Sequence, residues 1–408
     1  MSEDSRISRY DWMEAELSER ESRALYREMK NLERPPKAGE LGSAGKWLYK
    51  GGKRLYNLSS NNYLGLSGDP RIAQAASRAQ EQWGAGATAS RLVCGNHGCY
   101  RELEEDLAAW KGREAALVFA NGYMANLGVI SALMRRGDAV FSDRLNHASI
   151  VDGIILSRAD HFRYRHNDLE HLEFLLKKHD SPAQRKLIVT DAVFSMDGDA
   201  APLHQLVELR NRYGALLMVD EAHSGGIRGP HGEGLCHEYG LHEQVDVIMG
   251  TFSKAFGVYG AYVCADRVLI EYLVNASRPL IYSTGLPPMV VAAAHEALRI
   301  VRSERERREK LRELSAWFRQ QMHAWGLPSI PGESPIIPWL IGDNARALQT
   351  SSMLAERGIS AVAIRPPTVP DGEARIRFSL MATHTRAELA RALESIRAVA
   401  GEVQEVGR

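Results

Sequence analysis

Two residues are best equipped for chemistry, and each ends an apolar run. Val245-Asp246-Val247-Ile248-Met249-Gly250 gives way to Thr251, Ser253 and Lys254, with Gly257 and Gly260 behind them. Ala215-Leu216-Leu217-Met218-Val219 gives way to Asp220, Glu221 and His223. Short apolar runs of this kind read as buried strands of a parallel sheet, and ligands of open α/β sheets lie beyond the carboxyl ends of such strands. An amine withdrawn from water is driven toward its neutral form and becomes a nucleophile for carbonyl carbon. Alone, either residue reads as an ordinary polar group just past a strand. Together, 34 positions apart, they have room for one connection between strands of the same sheet.

An amine facing an acid that keeps a pyridine nitrogen protonated is the arrangement required by pyridoxal 5'-phosphate, an electron sink that the protein must orient. Other strand ends carry candidate groups. Asn121-Gly122-Tyr123 follows Ala115–Ala120, and a helix start with glycine at the turn is a natural phosphate seat, although an ordinary strand-helix turn looks the same. Asn146-His147-Ala148-Ser149 follows Ala139–Ser142, where an imidazole could lie against an aromatic ring or simply open a helix. Residues 190–199, with Asp191 and Ser195, place hydroxyls and carboxylates on one loop. Gly84-Ala85-Gly86-Ala87-Thr88-Ala89 has the letters of a dinucleotide fingerprint but follows a helical pattern instead of a strand, so a loop of small residues is expected. His223, His231, Cys236, His237 and His242 crowd together without a zinc-site spacing, and no metal is expected.

Residues 8–30 predict a helix with a charged face and Leu17, Leu25 and Tyr26 as anchors; 47–50 and 54–57 predict a hairpin across Gly51-Gly52. Ser59 to Leu66 form a polar-to-aromatic turn suited to lining a pocket, and Pro70 starts a helix to Trp83. After a helix near 98–111, strands at 115–120, 139–142, 162–164, 186–190, 215–219, 245–249 and 261–265 alternate with mostly helical patterns, which predicts an α/β domain with a mostly parallel sheet. Long helices over 288–325 lead to strand 336–341, helix 345–357, strands 360–364 and 374–381, and helix 386–399. The expected division is an N-terminal segment 1–58, a large domain 59–290, and a linking helix with a small α+β domain over 291–408.

Composition sets the outer limits. The 408 residues carry 51 Lys+Arg against 51 Asp+Glu, which argues against a general nucleic-acid binder. No apolar run reaches membrane-spanning length, the start lacks the layout of a secretory signal, and four cysteines make no disulfide framework. Cytoplasm is the default expectation.

The chain resembles the α-oxoamine synthases, a branch of the fold type I pyridoxal-phosphate enzymes, from Asn62-Tyr63-Leu64-Gly65-Leu66 through to Arg375-Ile376-Arg377. Three segments point toward the branch that makes 8-amino-7-oxononanoate for biotin: residues 194–203, 281–288 and the proline-rich 363–370. The resemblance implies condensation of L-alanine with a pimeloyl thioester of CoA or acyl carrier protein, with loss of CO2, in a homodimer with shared active sites. The rival is a sibling synthase, such as the 2-amino-3-ketobutyrate ligase that joins glycine to acetyl-CoA. By position, Lys254 bonds the cofactor and moves protons, Asp220 pairs with the ring nitrogen, and His223 contacts the phenolic oxygen. His147 stacks on the ring and Ser195 bonds nearby. Gly122, Tyr123, Thr251 and Ser253 belong at the phosphate end, and Ser283 and Thr284 reach it from the partner. Arg27, Asn62, Thr368 and Arg377 match substrate positions. Asp191 stands where glutamate is common, Glu221 to Gly225 depart from the usual wording, and the loop before Ser90-Arg91 is poorer in glycine and serine. A silent cofactor-binding regulator would carry a DNA-binding region, and residues 1–58 show no basic recognition helix.

Overall fold

The computed structural model describes residues 9–33, 45–181 and 184–405. Gly51 and Gly52, both with positive φ (56° and 71°), make the two-residue turn between β1 (Trp47–Lys50) and β2 (Lys53–Asn57). Mirror-image turns of this kind match the twist of paired strands and demand residues that tolerate positive φ. Asp69 caps the helix Pro70–Trp83 by accepting from the Arg71 amide, and the helix Gly98–Lys111 ends at Gly112 in the left-handed region.

The central sheet holds seven strands: β3 (Ala115–Phe119), β4 (Ala139–Asp143), β5 (Asp160–Tyr164), β6 (Lys186–Asp191), β7 (Leu216–Asp220), β8 (Val247–Thr251) and β9 (Ala261–Ala265). Their order is β3-β9-β8-β7-β6-β4-β5, and only β9 runs against the rest. Both faces are covered, which is why the strands read as unbroken apolar runs. Leu217, Val219 and Ile248 pack on one face with Leu172 and Leu206, whereas Met218, Val247 and Met249 pack on the other with Val129 and Ile150. The expected strands are all present, shifted by two residues or fewer where they differ.

The helices Pro288–Ser303 and Arg305–Ala324 lead to β10 (Ile336–Gly342), the helix Asn344–Glu356, β11 (Ile359–Ser360), β12 (Val362–Ile364), β13 (Ala374–Ser379) and the helix Arg386–Glu405. The single strand expected at 360–364 is two. β11 pairs in parallel with β2 of the hairpin, while β12 pairs with β13, and buried Ala361 marks the change of sheet. Partners far apart in the sequence decided this break, so local pattern did not display it.

The helix expected over 8–30 is also shorter, running Asp11–Ser22 with none of its residues buried. Ala24 adopts positive φ, and the following chain is drawn out by Arg365, which donates to the carbonyls of Ala24 and Tyr26. Of the anchors expected there, Leu25 is half-buried, but Leu17 and Tyr26 are exposed.

Candidate active site

The carboxyl ends of β3, β4, β6, β7 and β8 converge on one edge of the sheet. β6 and β7 are in register with Asp191 opposite Asp220, so two carboxyl groups sit side by side where the ladder ends. Burial and then the Asp220 charge push Asp191 well above the ordinary carboxylate range. Asp220 accepts from the Asn126 side chain at 2.9 Å and from the Ala222 amide at 2.9 Å. The next residue, Glu221, points the other way, as alternation along a strand requires. It meets Lys111 at 2.5 Å with neither side chain exposed beyond 1%, and it accepts from the Cys236 amide. That buried pair pins the chain directly behind Asp220.

Lys254 follows β8 and is half-buried. Burial outweighs the pull of Asp220 and Asp191 and brings its amine down to about 8. Its Nζ lies 2.7 Å from His223 Nε2, and His223 Nδ1 lies 2.7 Å from the hydroxyl of Tyr63. Burial, reinforced by Lys254, holds His223 well below the usual histidine range. Arg377 closes the line: it donates to Asn61 Oδ1 at 3.0 Å, to Tyr63 Oη at 3.4 Å and to the Ser195 carbonyl at 2.6 Å. Ser195 thus meets Arg377 through its backbone.

His147 begins the helix Ala148–Ser157. Its amide donates to Asp191 at 2.8 Å, and Nδ1 lies 2.7 Å from Ser149 Oγ. Burial lowers its proton affinity. Gly122 opens the helix Gly122–Leu133 beside the end of β8, where an added Cβ would come 3.9 Å from Thr251. Thr251 donates to the Gly260 carbonyl and receives the Ser253 amide, which folds the turn before Lys254. Tyr123 has its ring edge-on to His147 at 6.3 Å, but its hydroxyl is engaged by Asp152.

The substrate candidates divide. Arg27 donates to Thr368 Oγ1 at 3.2 Å, which unites two of them at an exposed position. Asn62 instead ties its own turn, donating to Ser67 Oγ at 2.8 Å and accepting from the Ser67 amide. Ser283 and Thr284 stand apart from Lys254's hydrogen-bond line, with Thr284 bridged to Ser90. Asn126 is absent from the sequence reading, and Tyr63 and Ser149 enter it only within the Ser59 to Leu66 and Asn146 to Ser149 stretches, with no role of their own. For Asn126 a signal existed, since it is a polar residue within the apolar stretch Met124 to Leu133 and is 1% exposed.

The sequence pattern of the aminotransferase class I and II family matches residues 53–396. A Geobacillus kaustophilus protein provisionally named 8-amino-7-oxononanoate synthase is 52% identical over 387 residues, covering 95% of this chain and 96% of that one. The chain belongs to the class I and II aminotransferase family. A serine palmitoyltransferase solved with pyridoxal phosphate matches over 97% of this chain and 98% of its own, with TM-score 0.89 and 32% identity. The 8-amino-7-oxononanoate synthase of Francisella tularensis matches over 85% and 98%, with TM-score 0.75 and 29% identity. This family member is thus an α-oxoamine synthase with the fold type I architecture.

The donor set fits pyridoxal phosphate. An amine held near neutrality can meet the aldehyde, Asp220 is fixed by two donors for a ring nitrogen, and the helix beginning at Gly122, where Asn121 takes up the Met124 amide, offers its first amides to a phosphate. Among the described residues, His166, Asp197 and Asp199 also bring ligand-type atoms within 4.8 Å. Both ring nitrogens of His166 are spent on Asp143 and Asp199, and Asp197 receives Arg375.

Proposed function

We propose that this synthase condenses L-alanine with a pimeloyl thioester, carried by CoA or acyl carrier protein, giving 8-amino-7-oxononanoate, CO2 and free thiol. The observation that carries the reading is the Lys254 amine, brought down to about 8 on the same sheet edge as Asp220 and His147. The 52% identity to the Geobacillus protein supports the choice within the family.

Bound pyridoxal phosphate supplies a sink for negative charge developing at the amino acid's α-carbon. Asp220 would hold the ring nitrogen, with His147 against the ring and Ser195 nearby. Gly122, Tyr123, Thr251 and Ser253 would hold the phosphate, joined by Ser283 and Thr284 of a second copy. Lys254 removes the α-proton and returns one at the end, and His223, 2.7 Å away, can exchange protons with it. Arg377 offers a buried guanidinium beside Asn61 and Tyr63 for the amino acid's carboxylate.

At the exposed side, Arg27 bears on Arg365 strongly enough to disfavour its charge, after the larger effect of burial. Two guanidiniums whose charges bear on each other suit an acyl donor that brings negative charge, such as the free carboxylate of pimeloyl or the phosphates of CoA. The higher TM-score to the serine palmitoyltransferase, 0.89 against 0.75, favours a second reading in which serine and a longer chain are used. Steady-state turnover of alanine, glycine and serine against acetyl-, succinyl-, pimeloyl- and palmitoyl-CoA, with pimeloyl carrier protein alongside, separates these. Alanine with a pimeloyl donor is expected to be best. Best turnover of glycine with acetyl-CoA overturns the proposal, and best turnover of serine with palmitoyl-CoA replaces it with the second reading.

A homodimer is part of the same proposal. Trp12 is 59% exposed, Met29 97% and Val93 77%, a load of apolar surface that a second copy would cover. Sedimentation velocity is expected to give twice the chain mass, and a monomer at micromolar concentration would refute it.

A further inference from the structure

Asn126 lies between Asp220 and His147. One side-chain N–H donates to Asp220 Oδ2 at 2.9 Å and the other to Ser149 Oγ at 2.9 Å, while Oδ1 is buried without a partner. The amide cannot be turned round, because its oxygen would then face the Asp220 carboxyl oxygen. With Ser149 Oγ receiving a hydrogen from Asn126, the serine's own O–H is free to point at its remaining neighbour, His147 Nδ1, 2.7 Å away. The Ser149 amide also points at that nitrogen, at 3.3 Å. Two donors converging on Nδ1 leave the imidazole's proton on Nε2. Every hydrogen in the line from Asp220 to His147 then has one direction.

We propose that Asn126 is a positioning residue that transmits the hydrogen-bonding demand of Asp220 to His147 through Ser149, locking His147 as the Nε2–H tautomer. Burial, which keeps His147 neutral, makes the tautomer matter, since a charged imidazole would carry both protons. The consequence rests on the cofactor reading given above: one amide aligns both the acid at the ring nitrogen and the imidazole at the ring face. The hydrogen-bond line itself does not depend on which substrates are used.

Nitrogen-15 NMR of the cofactor-free full chain, with His147→Gln used to assign the signals, reads the tautomer directly. His147 is expected to show an unprotonated Nδ1 and a protonated Nε2. Ser149→Ala removes one of the two donors and is expected to move the Nδ1 signal toward the average of the two tautomers. Asn126→Asp takes the donated hydrogen away from Ser149, whose O–H can then turn to the new carboxyl group; His147 is expected to shift toward Nδ1–H. Retention of pyridoxal phosphate, followed by its absorbance during dialysis, is expected to weaken about tenfold in either variant, the scale of one lost hydrogen bond. An Nδ1–H tautomer in the unaltered protein overturns the proposal. So does a tautomer unmoved in Asn126→Asp or, should that variant fail to fold, unmoved in Ser149→Ala. A wrong substrate assignment would instead appear only in the donor panel, with these signals unchanged.

Discussion

The Lys254 amine and the acids around it oppose one another, and the balance sets a pH dependence. Desolvation favours the neutral amine more strongly than Asp220 and Asp191 favour the cation, so the amine titrates near 8 instead of its ordinary 10.5. Only the neutral amine attacks a carbonyl. The rate at which cofactor-free protein captures pyridoxal phosphate should therefore rise with pH, by about tenfold per unit below 7, and level off above 8. Stopped-flow absorbance checks this, and a rate still climbing steeply at pH 10 would mean an unshifted lysine. Lys254→Ala should abolish capture and lower turnover by roughly 10^3 or more. Arg27 acts farther out, tied to Thr368 at the exposed edge. Arg27→Ala is expected to raise KM for the acyl donor by about tenfold with the cofactor spectrum intact, the scale of a lost charge-assisted hydrogen bond; an unchanged KM removes Arg27 from the donor's path.

The elements around the site are held by a few close approaches. Gly257, at φ +67°, lets the turn after Lys254 come against the 62–67 turn, where an added Cβ would stand 2.3 Å from the Ser67 amide nitrogen. Backbone cannot yield as a flexible side chain does. Gly257→Ala is expected to destabilise by about 3 kcal/mol and to disturb Asn62 and Tyr63, whereas Gly52→Ala, also at positive φ but with open space around it, should cost only about 1 kcal/mol. Urea unfolding of the two variants makes the comparison; equal losses would mean that φ strain alone, without the contact, accounts for both. The buried Lys111–Glu221 pair works at the same scale, joining the helix Gly98–Lys111 to the chain leaving β7. Glu221 could be read only as a departure from the family's wording, because the lysine that answers it lies 110 positions away.

For the molecule as a whole, two histidines set opposite limits on stability. His384 receives the Met381 amide on Nδ1 and reaches the Asn57 carbonyl with Nε2, linking the end of the hairpin to the last helix; burial pushes it down to about 3. The unfolded chain takes up that proton near 6.5, so this contribution is complete above 6.5 and is lost progressively toward 3. His166 behaves in reverse. Burial works against its charge, but hydrogen bonds to Asp143 and Asp199 prevail and raise it to about 9. Its contribution is complete below 6.5 and fades as pH rises through 9. Each is worth roughly 3 to 5 kcal/mol, and the sum of these two contributions peaks near pH 6.5, below the pH that favours Lys254. Urea midpoints across pH 4–10 should trace that maximum. His384→Gln should flatten the acid limb and His166→Gln the alkaline limb; an acid limb unchanged in His384→Gln would assign it to other groups.

Much of this was legible in the chain itself. Unbroken apolar runs ending in Asp220 and Lys254, and glycines at turns that demand positive φ, are local signals, because burial on both faces and backbone sterics act on neighbouring residues. They carried the α/β class, the strands and the positions of Asp220 and Lys254 at strand ends. Other features depended on which distant residues meet. The split of 359–364 between two sheets follows from separate partners in β2 and β13. The Lys254–His223–Tyr63–Arg377 line joins four segments, and the Asp220–Asn126–Ser149–His147 line joins a strand to two helix starts. Hydrogen bonds require donor and acceptor within about 3 Å, and only the folded chain sets distances between residues so far apart in order.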